Sequence, residues 1–457
     1  MYSAELCAFL EGRRLLPGEL PFSEELLRQH QREGVLAAES SVKRVNQGYH
    51  CTRCGNGDPL FFARFSCSRC QTICTYCRRC IMMGRTSECT PLFYWKGPSA
   101  DRGGMQVRFV WKGVLSDGQR IASEAVLHAI EHKEECLIWA VCGAGKTEML
   151  FAGIYASLAR GERVCIATPR TDVVLELEPR LRQVFTNIPI AALYGGSSDR
   201  HTQAPLTIAT THQLLRYFHA FDTIIIDEVD AFPYSADASL QYAVENAKKA
   251  AAAIIYVTAT PNRRWKKEAR AGTRKAVIIP VRYHRHPLPI PSFSWCGNWK
   301  GKLKRHVLPK NIMHWIEKHA AAGRPILLFV PHIRQVEPVA AILKQLDNRI
   351  EGVHAEDPLR KEKIRLFRTG DIPLLVTTTI LERGVTITDV QVAVLGAEEN
   401  VFTESALVQI AGRAGRNAAY PKGDVIYFHY GKTEEMAAAR RHIETMNKEA
   451  KRKGWLV

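Results

Sequence analysis

One stretch of this 457-residue chain is nearly empty of acid. Between residues 262 and 310, Glu268 is the sole carboxylate side chain, against 14 lysines and arginines. A segment that cannot neutralise its own charge points to a polyanion partner. Most of the chain's excess lies here: the whole sequence has 63 Lys and Arg against 46 Asp and Glu, a formal charge of +17, and +13 of it falls in this stretch. Long apolar runs are also missing. None approaches the ~20 residues that a bilayer-spanning helix requires, and the longest candidate, AAAAIIYV, reads as a core strand. The first residues, MYSAELCAFL, have neither a basic start nor a cleavage pattern, so no secretory leader is expected. No repeat or low-complexity tract interrupts the chain. The expected location is the cytoplasm, with access to the cytoplasmic face of the membrane as a peripheral protein.

What is present is ample for folding. A hydrophobic content of 46% supplies large cores, and the length suggests about three domains. Eight of the 13 cysteines fall between residues 51 and 89. They form the series Cys51-x2-Cys54, Cys67-x2-Cys70, Cys74-x2-Cys77-x2-Cys80 and Cys89. A CxxC knuckle lets two thiolates hold one tetrahedral ion, so the segment reads as a zinc-binding module. An iron–sulfur cluster is the rival, because close cysteines also hold clusters. Three arrangements are open. Sequential sharing joins Cys51, Cys54, Cys67 and Cys70, leaving Cys74, Cys77, Cys80 and Cys89 as a second set. Interleaved sharing joins the first knuckle to Cys74 and Cys77. One ion with spare thiols is the third.

Residues 140–147 read AVCGAGKT, between the apolar CLIWA and the helix-like EMLFAGIYASLA. Strand, glycine-rich turn, Lys-Thr and helix is the layout of a phosphate-binding loop. Its usual first glycine is Ala140 here. Gly143 and Gly145 let successive N–H groups face phosphate oxygens, beside a helix N-terminus. Gly143, Ala144, Gly145, Lys146 and Thr147 are therefore expected to bind ATP. Lys146 reaches the β- and γ-phosphates, and Thr147 contributes its hydroxyl to Mg²⁺.

Partners follow at sensible distances. FDTIIIDEVDAF, residues 221–232, is an apolar strand ending in acids. Asp227 is expected to hold Mg²⁺, Glu228 to orient the attacking water, and Asp230 to relay domain contacts. Thr258-Ala259-Thr260 ends another strand. LLVTTTILERGVTI, 374–387, runs into a polar turn with Arg383 and Gly384, expected at the nucleotide. QIAGRAGR, 409–416, sets Arg413 and Arg416 three apart on an expected glycine-rich helix start. Such arginines stabilise charge in phosphoryl transfer.

The order AVCGAGKT, ATPR, TTHQLL, DEVD, TAT, TTTILERGV, QIAGRAGR resembles the motif series of superfamily 2 DExD/H helicases. The resemblance spans roughly residues 115–430. It implies an adenine-reading role for Gln119, within LSDGQ. Together with the upstream cysteines, the series resembles the late competence ComFA family, cytosolic ATPases that drive transforming DNA into Gram-positive bacteria. The PriA family of primosome helicases is the alternative, since it also carries paired CxxC zinc sites. It places them inside the motor, and its members are much longer. Both departures favour the ComFA family. The resemblance implies single-stranded DNA as substrate, and a membrane DNA-uptake channel and other cytosolic competence proteins as partners.

The fold class expected is α/β, two tandem RecA-like domains with an N-terminal zinc-binding module. The expected division is an N-terminal segment to residue 48, a cysteine module at 49–90 and a connector at 91–118. A first RecA-like domain covers 119–281, a basic linker 282–311, and a second RecA-like domain 312–457. Trp295, Trp299, Lys300, Lys302 and Lys304 of the linker alternate rings with charges. Rings can stack on bases while cations follow phosphates; the competing role for the rings is to plug an interdomain seam. The expected activity is DNA-dependent hydrolysis of ATP with Mg²⁺, driving single-strand translocation. A replication-restart helicase and a nucleotide-gated zinc scaffold with little turnover are the alternatives.

Overall fold

The computed structural model describes residues 2–46, 48–99, 106–381 and 387–457. They form two compact units. The first holds residues 1–114, 123–138 and 149–277, and the second 115–122, 139–148 and 278–457.

The N-terminal segment has its own small core. Helices Ala4–Leu10 and Glu24–Arg32 start at Ser3 and Ser23, whose hydroxyls accept from Leu6 and Leu26 N–H groups. They pack Leu6, Leu10 and Leu27 against Leu15, Leu36 and Phe93. Strand Pro91–Trp95 pairs antiparallel with Arg14–Leu15 on one side and Leu36–Ser40 on the other. The cysteine segment is thus an insertion between two paired strands of a single sheet. Glu19 fastens this module to the rest of the first unit. Its buried carboxylate meets Arg53 at 3.3 Å, Arg200 at 3.2 Å and Arg216 at 2.6 Å. Burial opposes ionisation of Glu19. Arg53, the Leu16 N–H and Arg216 outweigh it and hold the carboxyl below its ordinary range.

A seven-stranded sheet follows, in the order Ile190–Leu193, Leu206–Thr210, Val164–Thr168, Phe221–Asp227, Lys248–Thr258, Glu135–Ala140, Ala276–Ile279. The first five strands in this order pair in parallel. VCIAT and LTIAT are buried along their whole length, as strands covered on both faces must be. AAAAIIYV lies within Lys248–Thr258.

The second unit carries a six-stranded sheet, all of its pairs parallel. The order is Ser292–Trp295, Val425–His429, Gln391–Leu395, Ile326–Phe329, Leu374–Thr377, Glu351–Val353. Residues 292–295 lie in the expected linker and form the edge strand of this sheet. The prolines before them bar a helix, and SFSW supplies strand-forming side chains. The architecture is α/β with two RecA-like parallel sheets. No helix among the described residues is long and apolar enough to cross a membrane.

Candidate nucleotide site and metal centres

The 140–147 loop takes the conformation its glycines permit. Gly143 has φ +81° and Gly145 φ +74°, a region that a side-chain-bearing residue rarely enters. Helix Lys146–Ala159 starts at the loop's lysine, with Glu148 in its first turn. Lys146 and Thr147 are half-buried at that helix start. Gln119, in helix Asp117–Glu131, braces the loop from behind. Its Nε2 donates to Ala144 O at 3.0 Å, and its Oε1 accepts from Ser116 N at 2.9 Å. A Cβ at position 145 would overlap Gln119 Nε2. The Gln119 amide is therefore occupied with shaping the loop, a use that its sequence position did not suggest.

The same unit brings the arginine-bearing segment to this loop. Helix Glu404–Ala411 ends before the glycines. Arg413 and Arg416 therefore sit in the turn after a helix, where a helix start was expected. Gly412 and Gly415 account for this. Gly415 holds φ +66°, and a Cβ there would collide with Pro421 O, so the helix cannot continue through it. Arg413 is buried, and Arg416 Nε donates to Gly412 O at 3.0 Å. Cys142 Sγ donates to Gln409 Oε1 at 2.9 Å, so the 140–147 loop and this helix touch directly.

Sequence reasoning missed Arg282, which it assigned to the linker's charge. The side chain has no exposed surface. Its Nη1 donates to Gly415 O, and its Nη2 to Gly412 O at 3.3 Å. Its proximity to a proline-rich stretch disguised it, and a buried arginine has no sequence signature.

In the first unit, Asp227 closes strand Phe221–Asp227 and accepts from Glu228 N at 2.9 Å. Glu228 has φ +59°, an uncommon geometry for a residue with a side chain, and it turns the chain sharply after the strand. Asp230 accepts from Thr258 Oγ1 at 2.5 Å and Thr260 Oγ1 at 2.6 Å. The acidic segment is thus tied to the Thr-Ala-Thr stretch. Arg383 and Gly384 lie outside the described residues.

The cysteines form two tetrads, Cys51, Cys54, Cys77, Cys80 and Cys67, Cys70, Cys74, Cys89, each with all its sulfurs within 4.8 Å of one another. Neither the sequential sharing nor the interleaved sharing through Cys74 and Cys77 holds, and no thiol of the eight is spare. Cys74 and Cys77 lie on one extended strand, Ile73–Cys77. Three residues of strand span roughly 10 Å, at ~3.3 Å per residue, so these two cannot ligate one ion. The hairpin of Phe62–Ser66 with Ile73–Cys77 puts Cys67, Cys70 and Cys74 at its turn. Cys77 leaves at the other end, toward Cys80 and the first knuckle. Contacts of 3.6 Å for Cys51–Cys80, 3.7 Å for Cys54–Cys77 and 3.5 Å for Cys67–Cys89 fit a single-ion tetrahedron. Zn–S bonds of ~2.3 Å give an edge of roughly 3.8 Å. A four-iron cluster sets an iron beneath each thiolate and spreads the sulfurs further. Each tetrad can hold one zinc ion. Asn56 Nδ2 donates to Cys77 Sγ at 3.7 Å and Thr86 Oγ1 lies 3.6 Å from Cys51 Sγ, support of the kind that orients metal ligands. Mutual contacts lower the Cys51 pKa and raise those of Cys54 and Cys80, while Thr72 lowers that of Cys70 and burial raises that of Cys89. Each tetrad therefore shares protons that a metal would displace. Thiolate is the form a metal requires.

The two tryptophans part company. Trp295 is two-thirds exposed, with Nε1 donating to Tyr430 O at 3.2 Å. Trp299 is 1% exposed in the second unit's core and donates to Glu398 Oε1 at 2.8 Å. It cannot stack on a base without unpacking that core. An apolar ring beside Gly396, which leaves it room, gains more from burial than from display. Lys300 pairs with Glu399 at 2.5 Å, while Lys302 and Lys304 are exposed.

Three family models match the chain. The competence protein ComFA N-terminal domain covers residues 1–94, the type III restriction enzyme res subunit 112–263, and the helicase conserved C-terminal domain 304–418. The chain is similar to the competence protein ComFA of Bacillus subtilis (strain 168), 53% identical across 98% of this chain and 96% of that protein. It is 39% identical to the ComFA of Streptococcus pneumoniae (strain ATCC BAA-255 / R6), across 82% and 86%. Among solved structures, S. cerevisiae Dbp5 bound to RNA and ADP BeF3 aligns with a TM-score of 0.53 at 16% identity. The alignment covers 73% of this chain and 91% of that one, a likeness of fold.

Proposed function

The chain belongs to the competence protein ComFA family, and from that premise we propose that it translocates single-stranded DNA during natural transformation, driven by ATP. It is a competence-associated, helicase-like motor of the superfamily 2 ATPase type, and that class uses ATP with Mg²⁺. The observation that carries the finer reading is the meeting, within one unit, of the glycine-rich loop and the turn bearing Arg413 and Arg416.

In this reading Lys146 binds the β- and γ-phosphates. Thr147 and Asp227 hold Mg²⁺, and Glu228 orients water. Arg413 and Arg416 offset charge in the transition state. Gln119 keeps the loop in its binding shape, and reading adenine requires its amide to exchange the bonds to Ala144 O and Ser116 N for the base when nucleotide binds. Arg383 and Gly384 adjoin the nucleotide. The two tetrads hold zinc, which fixes the N-terminal module as a rigid body. Trp295, Lys302 and Lys304 contact the strand, and hydrolysis is DNA-dependent. The domain division follows the sequence reading with two changes, strand Pro91–Trp95 joining the N-terminal segment and Ser292–Trp295 the second RecA-like domain, and the motor acts in the cytoplasm alongside a membrane DNA channel.

A deletion strain complemented with either wild type or Lys146→Ala tests this. Transformation restored by wild type alone supports an uptake motor. Normal transformation in the deletion strain removes the uptake role. Full complementation by Lys146→Ala removes the ATP-driven one.

A further inference from the structure

Arg282 is a buried cation with no carboxylate partner among the described residues. Its side chain has no exposed surface, and its Nε has no hydrogen-bond partner there. A guanidinium in that setting costs far more than one at the surface. Burial first, and Arg416 second, weaken its hold on its proton. A chain that keeps such a charge gains something from where it points.

It points to both halves of the candidate nucleotide site. Its two terminal nitrogens donate to Gly415 O and Gly412 O, which bracket Arg413. Its stem lies along the phosphate loop, 3.5–3.7 Å from where a Cβ on Gly143 would be. The next residue ties the same loop by its backbone, with Tyr283 N donating to Gly143 O at 3.1 Å. His284 adds a second side chain. Its Nδ1 accepts from His286 N at 3.2 Å, which leaves Nε2 to donate to Gly415 O at 3.1 Å. The fit is close throughout, since a Cβ on Gly412 would fall 2.5 Å from Cys142 Cβ.

We propose that Arg282 is a positioning residue, which locks the 412–416 turn to the 140–147 loop so that Arg413 and Arg416 are presented in register with bound phosphates. It acts through two backbone carbonyls, without touching the reacting atoms. The planar fork suits this task, since it reaches two acceptors at once. This inference rests on the reading of residues 140–147 as the ATP-phosphate loop.

The test separates binding from turnover in the full-length chain. Binding of a fluorescent ATP analogue and steady-state hydrolysis are measured for wild type, Arg282→Met, Arg282→Lys and Lys146→Ala. A lost register lowers kcat of Arg282→Met by about 10–100-fold, while the analogue's Kd shifts by less than about 3-fold because the loop's own contacts remain. Arg282→Lys keeps the charge and the stem and reaches one carbonyl at a time, so its kcat falls between the two. It also serves if the methionine variant does not fold. Wild-type kcat in either folded variant overturns the proposal. So does a loss of Kd and kcat in equal proportion, with a lowered melting temperature, the mark of a merely structural residue. Turnover retained in Lys146→Ala overturns the ATP-loop reading itself, a different failure.

Discussion

Arg53, in the middle of the first cysteine knuckle, pairs with Glu19 at 3.3 Å, and both side chains are buried. The pair joins the metal module to the N-terminal segment, and Arg53 Nε also donates to Leu215 O at 3.4 Å. Glu19→Gln leaves buried arginines without their counter-charge. Removing one partner of a buried pair costs about 3–5 kcal/mol. Chemical denaturation of the variant is expected to show a loss of that size, and a loss near zero would mean the cluster is dispensable.

Each purified chain is expected to carry two zinc ions and no iron. Cys74→Ser and Cys77→Ser, three residues apart, should each lose a different one, and the double variant both. Elemental analysis decides. If the double variant loses no more than either single variant, the two cysteines share an ion and the tetrads are wrong. Acid-labile sulfide would contradict zinc.

The tryptophans separate a surface role from a core role. Trp295→Ala is expected to weaken single-stranded DNA binding by about 1–3 kcal/mol, one stacked base, with little change in melting. Trp299→Ala removes a buried ring and is expected to destabilise the fold by about 3–5 kcal/mol. Neutralising Lys302 and Lys304 should flatten the salt dependence of binding. Fluorescence anisotropy across a salt series, alongside melting curves, checks all three.

Acid should destabilise the chain before its carboxylates titrate. His284, His319 and His429 all have pKa values lowered, first by burial. Their neutral forms are favoured in the folded state. The unfolded chain therefore binds more protons below about 6.5. Stability is full above that pH and falls as pH drops through the folded values. The melting temperature is expected to decline from pH 7.5 toward 5.5. A rise would contradict the burial of these rings.

The fold was legible where chemistry constrains local sequence. Apolar runs marked the parallel strands, and Gly143 and Gly145 marked the loop. All eight cysteines were recognised, but their sharing depended on whether CTYC is a knuckle or a strand, and a CxxC spacing allows both. The arginine turn was misplaced onto a helix start because glycine is compatible with either end of a helix. Trp299 and Arg282 were misread for one reason. Burial belongs to the tertiary fold, and a basic, aromatic stretch looks the same in sequence whether it faces solvent or the core.

The motor reading also assigns Glu228 the water. Glu228→Gln is expected to bind ATP as wild type does and to hydrolyse it at least about 100-fold more slowly, since positioned acid–base groups contribute 10²–10⁴-fold. Equilibrium nucleotide binding and single-turnover hydrolysis separate the two. Loss of both together would move Glu228 out of that role.

The most direct test of a DNA-driven ATPase is steady-state hydrolysis with and without single-stranded oligonucleotide, in wild type and in Lys146→Ala. The account predicts that the oligonucleotide stimulates wild-type turnover and that Lys146→Ala has none in either condition. Wild-type turnover indifferent to DNA, or turnover that survives the loss of Lys146, would contradict it.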